Sequence, residues 1–360
     1  MLPTPRPELM RMPQVAHGSL DYAELAGLGL DPDRTLDFSA NINPYGPSPA
    51  VTKALAGVPV HRYPDREALA LRRALAAHLG ASPEQVIVGN GSTELLWLVA
   101  LAFVRAGDPV VVVEPTFGEY ARALALMGAT IYRPTARPDR AFQVPLDEVA
   151  GDLRRSRPRL LFLCNPNNPT GVLLPPDSVL AWARDCPETL FVVDESYLAF
   201  ASGARSVLDG AHENVLVLRS MTKDYALAGL RLGYAVGHPE VVDALARARP
   251  PWSVSALAQA AGIAALEDQA HLLRSLKLLA EAKRALVEGL GHLGLEPVPS
   301  AANFFLVPVG NGAALRRALL QRGILVRDCE SFGLPAYIRI ATRRTEENGR
   351  LLSAVAEVGL

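Results

Sequence analysis

The chain has 360 residues, 49% hydrophobic and 20% charged, a composition that excludes a disordered chain and suits a large domain joined to a smaller one. Lys and Arg (36) nearly balance Asp and Glu (37), leaving a net charge of -1. Nothing in the overall balance therefore calls for nucleic acid or an anionic membrane, and any preference for an anion must come from a local pocket. Cys164, Cys186 and Cys329 are odd in number and form no C-x-x-C pair, which argues against a disulfide framework or a metal site and suits a reducing, cytoplasmic setting.

In chain order, residues 1–16 (MLPTPRPELMRMPQ and the two that follow) read as an irregular, proline-rich arm and not as a signal peptide. A short helix is expected around Asp21 to Leu28, then the strand-like TLDFSA and the loop NINPYGPSP. A helix over Glu67 to Leu79 has apolar residues at helical spacing, with Arg72 and Arg73 facing outward. Short apolar strands then alternate with helices: QVIVGN, STELLWLVALAFVRAG, PVVVVEP, FGEYARALALMG, RLLFLCNP, PPDSVLAWARDC, TLFVVDES and NVLVLRS. This alternation predicts an α/β fold with a largely parallel sheet covered on both faces. The apolar run Leu95 to Val104 is too short to span a bilayer. After PPWSVSA the pattern changes to one long helical stretch, Ser255 to about Leu293. Strands ANFFLVPV and AYIRIAT around a helix from Ala313 to Arg322, and a last helix after Glu346, complete a smaller α+β domain.

Polar residues collect at the C-terminal ends of the apolar strands, where open α/β sheets place ligands. In GNGSTE, Gly91, Ser92 and Thr93 open a helix whose free N–H groups suit a phosphate, although such a sequence also serves as a plain helix start. Phe117, in a loop after a strand, could cover a flat heteroaromatic ring or simply join the core. CNPNNPTG forces a tight turn and projects Asn168 over the sheet edge. Asp194 ends an apolar strand, where a carboxylate needs a partner such as a protonated pyridine nitrogen or the next turn. Lys223 follows a buried strand, a setting that lowers a lysine pKa and favours a Schiff base, and Ser220, Thr222 and Arg231 around it could hold a phosphate. Arg327 and Arg339 carry forks suited to carboxylate or phosphate, or to surface ion pairs.

Taken in order, these motifs resemble the fold-type I pyridoxal 5'-phosphate (PLP) enzymes of the aspartate aminotransferase superfamily, class I/II, over about residues 17 to 350. The resemblance implies a large PLP-binding domain over 46–250, a small domain over 251–360, and an N-terminal arm with a small-domain segment over 1–45. It implies that Lys223 is the Schiff-base lysine and proton shuttle, that Asp194 pairs with the pyridinium nitrogen, and that Asn168 and Tyr197 bond the ring's phenolic oxygen. Phe117 would stack on the ring. Gly91, Ser92, Thr93, Ser220, Thr222 and Arg231 would bind its phosphate. Tyr63, in RYPD, resembles the tyrosine that reaches the site of a partner subunit, implying a homodimer, and Arg339 resembles the substrate-carboxylate arginine.

Within the superfamily, HGS at 17–19, LDFSANINPYGPSP at 36–49 and PPWSVSALAQ at 250–259 resemble the threonine-phosphate decarboxylases of cobalamin synthesis more than the histidinol-phosphate aminotransferases. The expected reaction is thus decarboxylation of L-threonine O-3-phosphate, with histidinol-phosphate transamination the alternative. Arg327 and Arg339 would hold the anionic groups, and Asn43 and His17 would close the pocket from the arm. A PLP-binding regulator is the remaining possibility. It would need a DNA-binding module, for which a match beginning near residue 17 leaves no room.

Overall fold

The computed structural model of the chain describes residues 3–12 and 15–359. The strands are β1 (Leu36–Asp37), β2 (Val86–Asn90), β3 (Pro109–Val112), β4 (Thr130–Tyr132), β5 (Leu160–Cys164), β6 (Leu190–Asp194), β7 (Val215–Ser220), β8 (Leu232–Val236), β9 (Phe304–Pro308), β10 (Ile324–Leu325), β11 (Arg327–Asp328) and β12 (Tyr337–Ala341). Seven of them form the central sheet in the order β2-β8-β7-β6-β5-β3-β4, with β8 alone antiparallel to its neighbours. The chain therefore has the α/β fold expected from the alternation of strands and helices.

The strands read as unbroken apolar runs because both faces of the sheet are covered. Their residues divide by the two-residue period of a strand. Val110, Val112, Leu160, Phe162, Leu216 and Leu218 pack in one core with the helix Gly91–Phe103. Val111, Leu161, Leu163, Phe191, Val193 and Val217 pack in another with the helices Leu146–Ser156 and Pro176–Asp185.

The smaller domain has its own core, which includes Phe38, Leu290, Phe305, Ile338 and Leu351. Its sheet runs β11-β12-β9, and β1 pairs in parallel with β10, tying the N-terminal segment to this domain. The helical stretch expected from Ser255 to Leu293 is two helices, Ala256–Glu267 and Gln269–His292. Asp268 breaks it, its side chain accepting from His271 N to start the second helix. The first helix packs in one core with Val51, Leu71 and Leu75 of the helices Pro49–Ala56 and Leu69–Leu79. Packing against the helices beside the large sheet therefore continues past 250, where the sequence pattern changes, as far as Glu267.

Arg72 does not face outward: its guanidinium donates to the carbonyls of Val86 and Pro83, tying its helix to the start of β2. Among its described residues the arm contains one short helix, Pro7–Arg11.

Candidate active site

The C-terminal ends of β5, β6 and β7 and the start of the helix Gly91–Phe103 converge on one pocket. It is lined by Ser92, Thr93, Phe117, Asn168, Asp194, Tyr197, Ser220, Thr222, Lys223 and Arg231, with Tyr120, Cys164 and Ser196 beside them. Ten of these positions come from separate segments singled out in the sequence, and the parallel strand ends bring them together.

Each side chain is placed by its neighbours. Asp194, on the last position of β6, accepts from Tyr120 OH at 2.7 Å and from the Ser196 backbone N–H and hydroxyl at 2.9 and 2.5 Å. Burial pushes the Tyr120 phenol above its ordinary pKa, so it stays a donor. Tyr197 is buried with its ring edge-on to Phe304, and its hydroxyl accepts from Asn41 Nδ2 at 3.4 Å. The turn after β5 is held by two of its asparagines. Asn165 pairs with both backbone groups of Leu174, and Asn167 donates to Pro115 O, which leaves Asn168 free to face the pocket and accept from Arg339.

The Lys223 side-chain amine has no hydrogen-bond partner among the described residues. Burial, helped by the guanidinium groups of Arg339 and Arg231, lowers its pKa to about 8. Gly91 has φ +75°, and a Cβ there would lie 2.9 Å from Arg231 Nη2, so only glycine lets that guanidinium lie against the helix start. The Ser220 and Thr222 hydroxyls bond only to each other, at 2.7 Å. A helix N-terminus, a guanidinium and two hydroxyls with capacity to spare form a donor set that fits a phosphate. The Phe117 ring, the Asp194 carboxylate and the unpartnered amine of Lys223 fit the pyridine ring and aldehyde of PLP.

Arg327 and Arg339 are cross-strand partners on β11 and β12, and both are buried. Arg339 donates to Asn168 and to Ser39 O (2.5 Å), its Nε has no partner, and burial lowers its pKa. Arg327 donates to Ala16 O and Ser331 Oγ. His17 lies against Phe117, ring centroids 5.7 Å apart.

One expected residue lies elsewhere. Asn43 does not close the pocket: its amide donates to Asp224 O and Ser275 Oγ and accepts from Tyr45 N, so it braces the lysine loop from behind. Asn41, two residues earlier, is the asparagine that reaches the site. Tyr63 is 81% exposed and stacks on Trp252 at 4.6 Å, outside the pocket of its own chain. Tyr120, Ser196 and Cys164 were not singled out in the sequence. Tyr120 lies in the helix Glu119–Leu126 and reads as a core aromatic, while Cys164 is a buried thiol whose pKa burial raises, leaving it inert.

The family model for aminotransferase class I and II matches residues 33–355, and the chain belongs to that family. Membership brings with it the family's cofactor, PLP. The chain is similar to the histidinol-phosphate aminotransferase of Symbiobacterium thermophilum, 43% identical over 325 residues that cover 88% of this chain and 89% of that protein. It is also similar to the crystal structure of histidinol-phosphate aminotransferase from Sinorhizobium meliloti in complex with pyridoxal-5'-phosphate (TM-score 0.87, 31% identity, 98% of this chain and 96% of that one). The L-threonine-O-3-phosphate decarboxylase from Porphyromonas gingivalis superposes with a TM-score of 0.78 at 29% identity, over 90% of this chain and 99% of that one. Among the described residues no helix is long and apolar enough to cross a membrane.

Proposed function

We propose that the chain is a histidinol-phosphate aminotransferase, which passes the amino group of histidinol phosphate to 2-oxoglutarate. The observation that carries this reading is the near full-length likeness to aminotransferases of that name. It displaces decarboxylation as the favoured reaction. The segments HGS, DFSANINP and PPWSVSA lie in the arm, in the loop that runs from Ser39 and Asn41 at the site to Asn43 behind the lysine, and on an exposed turn, and they do not define the chemistry.

When bound, PLP supplies an electron sink that weakens whichever substrate Cα bond stands perpendicular to its ring. Lys223 would carry the cofactor. Its amine, with a pKa lowered to about 8, is available as a base near neutral pH to take the proton from the substrate Cα and return it. Asp194, held by Tyr120 and Ser196, would keep the pyridine nitrogen protonated, while Asn168 and Tyr197 would bond the phenolic oxygen. Gly91, Ser92, Thr93, Ser220, Thr222 and Arg231 would hold the phosphate. Both halves of a transamination use one site, so the same cation must accept the phosphate of one substrate and the carboxylate of the other. Arg339, with an unpaired Nε and Arg327 across the strand pair, is suited to that alternation.

Tyr63, exposed together with Val60 and Trp252, would complete the site of a second copy in a homodimer. Mixing Tyr63→Ala chains with Lys223→Ala chains should then restore activity in hybrid dimers.

The test of the reading is a pair of assays: glutamate formed from histidinol phosphate plus 2-oxoglutarate, and CO₂ released from L-threonine phosphate. The first is expected to proceed. CO₂ release without glutamate formation would return the function to decarboxylation, which the arm segment and the likeness to the Porphyromonas gingivalis structure favour as the second reading.

A further inference from the structure

Residues Val15 to Gly18 cross the mouth of the pocket and touch both domains. A Cβ on Gly118 would lie 3.1 Å from Val15 Cγ1, so the strap sits directly on the backbone next to Phe117. Ala16 O accepts from Arg327 Nη2 at 3.1 Å. A Cβ on Gly18 would strike Ser39 O and lie 2.9 Å from Arg339 Nη2, so the strap also lies against the second arginine. Between these contacts stands His17, its ring over Phe117 and half exposed.

His17 Nε2 lies 3.3 Å from Glu119 Oε1. Glu119 is 5% exposed, and a carboxylate is buried so deeply only when its lone pairs are satisfied. Trp97 Nε1 donates to Oε2 at 3.1 Å and Arg122 Nη1 to Oε1 at 3.2 Å. The indole comes from the helix Gly91–Phe103 and the guanidinium from Glu119's own helix, so the carboxylate is fixed by the large domain before the strap arrives. A fixed carboxylate 3.3 Å from Nε2, at ion-pair distance, draws that nitrogen towards it and leaves Nδ1, which has no partner among the described residues, as the group on offer.

We propose that Glu119 is a positioning residue: it holds His17 by Nε2 so that Nδ1 meets the anionic end of the substrate beside Arg327 and Arg339. This rests on the reading of the substrate as a phosphorylated amino compound. In that complex Nε2–H points to Glu119, and Nδ1 shares a hydrogen with the phosphate, whose second ionisation at about pH 6 lets the substrate bring that proton with it.

The test is a double-mutant cycle on the PLP-loaded enzyme, with KM and kcat measured separately for histidinol phosphate. His17→Ala and Glu119→Gln are each expected to raise KM roughly tenfold or more, the range for a hydrogen bond to a charged group, with a smaller change in kcat. The double variant should be no worse than the worse single one, because both changes remove one interaction. An unchanged KM in Glu119→Gln, or effects that multiply, would overturn the proposal. A second measurement needs no variant: ring ¹⁵N shifts of His17 in the ligand-free holoenzyme should show the Nε2–H tautomer, and an Nδ1–H tautomer would overturn it. If the wild type turned over neither phosphorylated substrate, the functional reading would fall, while the ring-nitrogen measurement would still decide the role of Glu119.

Discussion

At the ends of β6 and β7, neighbouring residues serve two polar regions of different character. Asp194 and Ser220 face the pocket in front, while Glu195 and Arg219 face a groove behind it. The rear pair is closed upon itself. Glu195 accepts from Arg219 at 2.8 Å, from Ser206 Oγ at 2.7 Å and from Val207 N at 2.8 Å, and Arg219 also donates to Ser206. The front region is left open among the described residues: the Lys223 amine makes no hydrogen bond, Arg339 Nε is unpaired, and the Ser220 and Thr222 hydroxyls bond only to each other. Buried polar groups without partners cost considerable free energy unless a ligand supplies the bonds, so the open donors gathered in front suit a ligand, while the completed pair behind serves structure.

The contrast predicts that substitutions in front lower activity and those behind lower stability. The largest effect is expected from Arg339→Met. Steady-state kinetics should show kcat/KM falling by about 100-fold or more, the loss of a forked, charged contact to substrate, while the melting temperature holds or rises because a costly buried charge has gone. Behind the site, Arg219→Met leaves the Glu195 carboxylate, with only 1% of its side chain exposed, short of its counter-ion. Since Arg219 itself is partly exposed, urea unfolding should show a loss at the low end for a broken buried pair, about 3 kcal/mol, with kcat/KM retained. Equal effects of the two variants on both measurements would erase the distinction.

A smaller effect sharpens it. Tyr120→Phe removes one donor from Asp194 and should weaken PLP binding by about tenfold in fluorescence titration, corresponding to one hydrogen bond to a charged group. The smallest is a dependence on pH. The Lys223 pKa lies at about 8 in the folded, cofactor-free chain, below the usual lysine value. The unfolded chain therefore holds the proton more tightly, and burial of Lys223 destabilises the fold fully below pH 8 and progressively less as pH rises towards about 10.5. Cofactor-free Lys223→Met should melt higher than wild type at pH 7, with the gap closing as pH rises. A gap that is constant or widens with pH would show that the amine is not destabilised by burial.

Much of this was legible in the sequence for one reason: in a parallel sheet, the residue that ends an apolar strand is the residue that meets the ligand. That rule pointed to Asp194 at the end of β6 and to the turns after β2, β5 and β7, which carry the start of the helix Gly91–Phe103, Asn168 and Lys223, without any knowledge of side-chain contacts. It could not separate Asn41 from Asn43, because which of two amides two residues apart turns inward depends on Ser275, a partner more than two hundred positions away. Nor could it find Tyr120, whose role lies in one hydroxyl of a ring otherwise buried like any core aromatic. The break at Asp268 was hidden because apolar periodicity continues on both sides of it, and only the capping contact to His271 N shows the second helix beginning. The substrate was the least legible feature. Motifs such as DFSANINP pointed to decarboxylation, whereas likeness over the whole chain favours transamination, and the bond weakened at Cα depends on small differences in how the two arginines hold an anion.

The most direct trial of this account is to reduce the purified, PLP-loaded protein with borohydride and map the modified peptide by mass spectrometry. The account predicts a single pyridoxyl group on Lys223 with loss of activity. A pyridoxyl group on another lysine, or full turnover by Lys223→Ala, would contradict it.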